Sequence, residues 1–299
     1  MYVITGASGH TGATAAKSLL SRGQKVRVLG RNPDHLKDLA SAGAEVFVGD
    51  ITDSKKLTEA FRGADAAYVL VPPNFATNDY RAYQEQVSDS IATAAAAATP
   101  KYVVSLSSVG ADKPSNTGPI VGLHNLEQKL NKIDGINVLH LRAGYFMENT
   151  LGQAGAIHTF GKTMGPLRPD LKLSMIASRD IGAIAAEELL SKKFQGKQTR
   201  ELLGQRDIDM TEVTHVLGKA VGKPDLSYFQ APDDQFQAAL MQMGMPSNLA
   251  GLIVEMAHAL NSGHVRALEA RSPRNTNPTS YETFVADEFM PVFQQAKAA

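Results

Sequence analysis

The stretch Tyr2-Val-Ile-Thr-Gly6-Ala7-Ser8-Gly9-His10-Thr11-Gly12 decides how the rest of the chain is read. An apolar strand starts at Tyr2 and runs straight into a G-x-x-G-x-x-G loop. A helix-forming run, Thr11 to Ser21, follows at once. A phosphate-binding strand-turn-helix needs that order. Gly6 can leave the strand at positive φ, and Gly9 has no Cβ to bar a pyrophosphate from the helix N-terminus. Gly12 lets the helix pack closely on the strand. A glycine-rich turn without a ligand is the competing reading. The strand before, the helix after and a second βαβ unit behind argue against it.

The next strand indicates which dinucleotide such a loop would take. Lys25 to Leu29 reads as that strand, and Gly30-Arg31-Asn32-Pro33 follows. A site selective for NAD places an Asp or Glu there, to accept hydrogen bonds from the ribose hydroxyls. Here the position holds Gly30, which leaves room for a 2′-phosphate, and then Arg31, whose guanidinium can bind phosphate oxygens bidentately. His10 is expected to add a second donor to the same phosphate. Arg31 also has a plain reading as a solvated loop arginine, but the missing carboxylate points the same way, to NADP(H).

Strand and helix patterns alternate through the first half. Asn32 and Pro33 read as N-cap and first-turn proline of a helix from Asp34 to Ser41, before a strand at Glu45–Val48. Asp53 caps a helix from Ser54 to Phe61, stopped by Gly63. Strands at Ala66–Val71, Tyr102–Leu106 and Val138–Arg142 are separated by helices at Asn78–Ala98 and Ile120–Lys132. Near-continuous apolar strands alternating with helices predict an α/β fold, a Rossmann-type doubly wound parallel sheet covered on both faces.

Past Arg142 the rhythm changes. A strand at Leu171–Ala177, a helix capped by Asp180 and running to Leu190, and a short strand at Arg200–Leu203 are expected. A helix capped by Thr211 then ends near Gly222, and Leu226–Gln230 reads as a further strand. Helices at Pro232–Met243, Pro246–Asn261 and Tyr281–Gln295 complete the chain. Residues 1–150 are thus expected to form the dinucleotide-binding domain, with 179–222 packing back on it. Residues 151–178 and 223–299 would form a smaller, mixed substrate region.

Composition narrows the function. Of 299 residues, 30 are basic and 30 acidic, with no basic tract or acidic tail, so no nucleic-acid partner is expected. The absence of cysteine excludes disulfides, thiolate metal sites and thiol nucleophiles. No HExxH or clustered carboxylate-histidine spacing supports a metal. The small-apolar run Ile91–Ala98 is too short to span a bilayer, and the strand beginning at Tyr2 leaves no room for a signal peptide. A cytoplasmic protein without a membrane partner is the expectation; a homodimer is compatible with it.

The chain resembles the NmrA-like branch of the atypical short-chain dehydrogenase/reductases. The matching pieces run in order through nearly all of it: TGASGHTG at 5–12, GRNP at 30–33, GDITD at 49–53, VPPN at 71–74, SLSSVGAD at 105–112, HNLEQKL at 124–130, LRAGYFMEN at 141–149, RDIG at 179–182 and PTSYETF at 278–284. The glycine loop is shared by many related enzymes, whereas LRAGYFMEN and PTSYETF are more specific to this branch. The resemblance implies a cofactor held by the loop from Gly6 to Gly12 (including Ala7, Ser8, Gly9, His10 and Thr11), by Arg31, by Leu70, Val71 and Pro72, and by Ala143, Gly144, Tyr145 and Phe146. It places Asp50 and Ile51 beside the adenine. Asp50, at a strand end, can accept from an adenine amino group or simply close a turn.

Members of the branch include NADPH-dependent quinone and dye reductases, and regulators that bind dinucleotide without known turnover. Short-chain dehydrogenases usually carry Tyr-x-x-x-Lys on the helix after strand five, tyrosine giving the proton. Here His124 stands in place of the tyrosine and Gln128 in place of the lysine. His124 is thus a candidate proton donor, or a helix residue facing a polar loop. Hydride transfer to a conjugated acceptor, with proton uptake from water, asks less of the protein. The expected pocket residues are Phe75, Ser107, Tyr145, Phe146 and Asn149, with Met241, Met243 and Met245 as a lid or as core packing. The expectation is therefore an NADPH-dependent reductase of a quinone-like small molecule, with a non-catalytic NADP(H) sensor as the alternative.

Overall fold

The computed structural model describes residues 1–296, so the last three residues of the expected 223–299 region lie outside it. The first half alternates as β1 (Tyr2–Ile4), α1 (His10–Leu20), β2 (Val26–Gly30), a 3-10 turn (Pro33–Leu36) leading into α2 (Lys37–Ser41), β3 (Glu45–Val48), α3 (Ser54–Phe61), β4 (Ala66–Val69), α4 (Tyr80–Ala98), β5 (Tyr102–Ser108), α5 (Ile120–Asn131) and β6 (Asn137–Ala143). The second half holds β7 (Tyr145–Phe146), α6 (Gln153–Phe160), β8 (Thr163–Gly165), β9 (Leu173–Ile176), α7 (Ser178–Ser191), β10 (Lys197–Leu202), β11 (Asp207–Ile208), α8 (Met210–Ala220), β12 (Tyr228–Gln230), α9 (Asp233–Gln242), α10 (Ser247–Asn261), α11 (Tyr281–Phe284) and α12 (Met290–Ala296).

Seven strands form one parallel sheet in the order β10-β6-β5-β4-β1-β2-β3. Period-two alternation explains why these strands are apolar almost throughout: each feeds two cores. Ile4, Val28, Tyr68, Val104 and Leu139 point to the face covered by α1 and α7. Val3, Leu29, Val69, Val103 and Val138 point to the face covered by α3, α4 and α5. The strand order reverses direction at β1 and β4, so the glycine loop opens at the switch point of the sheet, where open α/β sheets bind ligands.

The run 179–222 divides. Helix α7 and strand β10 complete the main sheet. Strand β11 and helix α8 instead join a second core around Leu173, Met175, Ile208, Leu217, Tyr281 and Phe284. Two small sheets, β11-β9-β7 and β12-β8, support that core. Gly182 permits the close seat of α7, since a Cβ on it would lie 2.5 Å from the Thr11 carbonyl oxygen on α1.

Several boundaries differ from the sequence reading. Strand β4 stops at Val69, because Pro72 and Pro73 have no N–H to give a ladder. Asp180 does not cap α7. The helix starts at Ser178, and Asp180 accepts from the Thr279 amide at 3.0 Å and its hydroxyl at 2.8 Å. Asp209 rather than Thr211 caps α8, accepting from the Glu212 amide at 2.8 Å. The closing helix is interrupted by a π-helical turn at Val285–Phe289.

Candidate functional site

The glycine loop is built as its spacing requires. Gly6 leaves β1 at φ +62°, and a Cβ on it would come within 2.9 Å of a Leu70 methyl at the β4 exit. A Cβ on Gly12 would sit 2.4 Å from the Gly6 carbonyl oxygen, so α1 reaches the strand only because that atom is missing. Gly9 differs. A Cβ there would meet only the Gly6 oxygen, at 3.4 Å, and otherwise open space. Gly9 is also the N-cap of α1, and no side chain caps that helix. Its first-turn N–H groups therefore stand at an opening that fits a phosphate. Ser8, Gly9 and His10 are exposed around it, while Ala7, Thr11 and Gly12 are buried and build the turn.

Arg31 is exposed just past β2. The lack of a side chain at Gly30 serves packing first: a Cβ would come 2.9 Å from a methyl of the fully buried Leu36. Asp50 closes a turn, its Oδ1 accepting from the Thr52 amide at 2.9 Å and hydroxyl at 2.8 Å. Ile51 is buried beside Leu29, Leu57 and Val69. Burial pushes the Tyr83 phenol up to about 12, with Tyr80 and Asp50 adding to the shift and Arg31 opposing it. His10 has other company. It opposes the upward shift of the Glu288 carboxyl, which burial and Glu148 drive. The two donors expected on one phosphate thus stand among different neighbours.

At the β6 exit, Ala143 is fully buried, and a Cβ on Gly144 would sit 2.2 Å from the Ser174 carbonyl oxygen. That approach lets Tyr145 and Phe146 pair with Met175 and Ile176 of β9. Phe146 packs on the sheet core and Tyr145 on the second core, so the two cores meet at this step. Burial pushes the Tyr145 hydroxyl up to about 12, with the neighbouring Asn149 side chain opposing the shift. Glu148, which the sequence reading passed over, accepts from the Ser178 amide at 2.8 Å and hydroxyl at 2.5 Å. It ties this exit to α7. Nothing local in the sequence signals a partner 30 residues away.

On α5, His124 Nδ1 lies 2.8 Å from the Ala111 carbonyl oxygen. A carbonyl only accepts, so Nδ1 carries the proton and Nε2 is left to exchange one. Ser107 is not free to meet a substrate: its buried hydroxyl donates to Glu127 at 2.6 Å. Glu127 also takes two bonds from Arg142. Phe75 is 59% exposed and Met243 75%, both without packing that would make them core, whereas Met245 packs beside Tyr80 and Leu249. Among the described residues, no group of three or more His, Cys, Asp and Glu could hold a metal, and no helix is long and apolar enough to cross a membrane.

Known proteins share this architecture. An NADPH-dependent quinone oxidoreductase of Escherichia coli, solved with NADPH, superposes with a TM-score of 0.76 over 97% of this chain and 100% of its own, at 24% identity. A triphenylmethane reductase of Citrobacter sp., solved with NADP(H), gives 0.77 over 99% and 100%, at 17% identity. NmrA, a negative transcriptional regulator solved with NADP, gives 0.67 over 100% and 98%, at 16% identity. In sequence, the (4-alkanoyl-5-oxo-2,5-dihydrofuran-3-yl)methyl phosphate reductase of Streptomyces griseus is 28% identical over 263 residues, 88% of each chain. The model of the NmrA-like family matches residues 2–289, and the chain accordingly belongs to the NmrA-like family.

Proposed function

We infer that the protein is an NADP(H)-dependent reductase that delivers hydride to a quinone-like or other conjugated small molecule. The observation that carries this reading is the opening at Gly9, where the uncapped start of α1 meets space no protein atom fills, at the switch point of the sheet. A pyrophosphate fits that cradle. Arg31 would take the 2′-phosphate. The β4 exit at Leu70–Pro72 and the β6 exit at Ala143–Phe146 would flank the rest of the dinucleotide. Named reductases among the similar proteins support the reaction class.

When bound, the cofactor supplies a hydride at its nicotinamide. The chain's own part is to hold the acceptor flat against that ring and keep competing water away. Tyr145, Phe146, Asn149 and the exposed Phe75 are the residues assigned to this wall. His124, its Nδ1 held by the Ala111 carbonyl, is the residue assigned to proton exchange, through Nε2. An acceptor whose reduced form is protonated by water needs that group little. The similar fold of a regulator solved with NADP favours a second reading, in which the same site senses the dinucleotide without turnover.

The deciding experiment follows NADPH oxidation at the nicotinamide absorbance across a panel of quinones and triphenylmethane dyes, with NADH as control. Turnover of at least one acceptor, faster with NADPH, is expected. Tight NADPH binding with no turnover of any acceptor would contradict the reductase and leave the sensor.

A further inference from the structure

The segment that leaves β4 carries Leu70 against Gly6 and then runs through Val71-Pro72-Pro73 to the start of α4. Leu70 and Val71 pack on the two cores, but no strand ladder runs past Val69, and Pro72 and Pro73 have no N–H to extend it. The Tyr83 hydroxyl ties Pro72 instead. It donates to the Pro72 carbonyl oxygen at 3.0 Å, across eleven residues of chain. The Tyr83 ring is half-buried between the α3–α4–α5 core and a small cluster of Tyr80, Leu249 and Leu252. The centroids of the Tyr80 and Tyr83 rings are 6.1 Å apart, and the Tyr80 amide donates to Asn248 Oδ1 at 3.0 Å. Tyr83 is therefore braced from α10, and through its hydroxyl that brace reaches the β4 exit. Arg31, just past β2, and Asp50, in the turn after β3, lie near enough to act on its phenol.

The geometry points to Tyr83 as a positioning residue for the adenosine half of the dinucleotide, acting through the Pro72 carbonyl. This rests on the reading of the site as an NADP(H) site. On that reading the β4 exit, on the side of Arg31 and Asp50, would form one wall of the adenosine half; Leu70 and Val71 are held by packing on the two cores, and Pro72 beyond them keeps one position only if it is tied. Losing the tie leaves the exit a spread of positions, of which a fraction accept the ligand, and apparent affinity falls by that fraction. Tyr83 acts on the wall and not on the 2′-phosphate. Both dinucleotides must therefore weaken together, while removal of Arg31 acts on one.

The test measures the affinities of NADPH, NADH and ADP-ribose for the wild type, Tyr83→Phe and Arg31→Ala, together with melting temperatures without ligand. Tyr83→Phe removes only the oxygen, and Tyr80→Phe, one turn away, is the control. The expected result is a loss of about three- to tenfold for all three ligands in Tyr83→Phe, as for one neutral hydrogen bond, with the NADPH to NADH ratio preserved. Tyr80→Phe binds as wild type. Arg31→Ala collapses the ratio instead. Wild-type affinities in Tyr83→Phe, or a drop in melting temperature without any change in affinity, overturn the positioning role while leaving the NADP(H) reading intact. Failure of the wild type to bind NADPH overturns both.

Discussion

Glu127 on α5 receives two hydrogen bonds from Arg142 on β6, 2.9 Å from Nε and 2.6 Å from Nη2, and a third from Ser107 on β5. Both charges are withdrawn from water, with side chains 2% and 14% exposed. The Glu127 carboxylate and the Arg142 guanidinium satisfy each other, and the pairing raises the Arg142 pKa further above its usual range. Three elements are thereby pinned one turn from His124. Glu127→Ala should leave a largely buried guanidinium without its partner and lower stability by about 3 kcal/mol. Urea unfolding of the variant checks this, and a change under about 1 kcal/mol would show that the pair does not brace the sheet end.

Gly9 and Gly12 should fail in different ways. A valine at Gly9 meets open space and should leave the fold intact while abolishing dinucleotide binding. An alanine at Gly12 meets the Gly6 carbonyl at 2.4 Å and should destabilise the protein by about 3 kcal/mol, the upper end for overpacking. Circular dichroism melts paired with NADPH titrations separate the two. A Gly9→Val protein that still binds NADPH would put the phosphate elsewhere.

His124 discriminates between acceptor classes. If protons reach the reduced product from water, His124→Ala should slow turnover only modestly. If the substrate is an isolated ketone, removal of a positioned acid should cost roughly a hundredfold or more. Rates of His124→Ala and His124→Tyr on the acceptor that the panel identifies decide this. A large loss in the alanine variant that tyrosine restores would make His124 a general acid.

His140 sets a pH dependence of stability. Its ring is buried on β6, where Nε2–H donates to Asn131 Oδ1 at 3.0 Å. Burial lowers its pKa from 6.5 to about 4, against the nearby Glu127. The unfolded chain takes up a proton here below 6.5 that the folded protein refuses until about 4. The contribution is complete above the unfolded value, declines as pH falls, and is gone below the folded one, amounting to about 3 kcal/mol. Unfolding free energies from about pH 7 to about pH 4 should fall less steeply in His140→Gln than in wild type. Identical slopes would remove His140 as the cause.

Local signals were legible in the sequence and distant ones were not. Asn32 and Asp53 cap as read, because a cap bonds to amides two or three residues on. The glycine loop and the six strands before Ala143 follow from spacing and period alone. Asp180 looked like a cap because it precedes an apolar run, yet its partner is Thr279, a pairing that only the folded chain creates. Tyr281 is similar: its hydroxyl donates to Thr150 at 2.9 Å, joining PTSYETF to the residue just after LRAGYFMEN, more than a hundred positions away. Ser107 sits where its motif put it, but Glu127 on the facing helix claims its hydroxyl. Strands of two residues, such as β7 and β11, carry no periodicity to read.

The strand, glycine loop and helix at residues 2–20, with Arg31 beyond β2, form the proposed site for NADP(H). Parallel titrations of wild type and Arg31→Ala with NADPH and NADH test it most directly. Wild type should bind NADPH the more tightly, and Arg31→Ala should lose about 1.5–3 kcal/mol of NADPH affinity, the worth of a charge-assisted bidentate contact, with little change for NADH. Equal affinity of the wild type for the two dinucleotides would contradict an NADP(H) site built on Arg31.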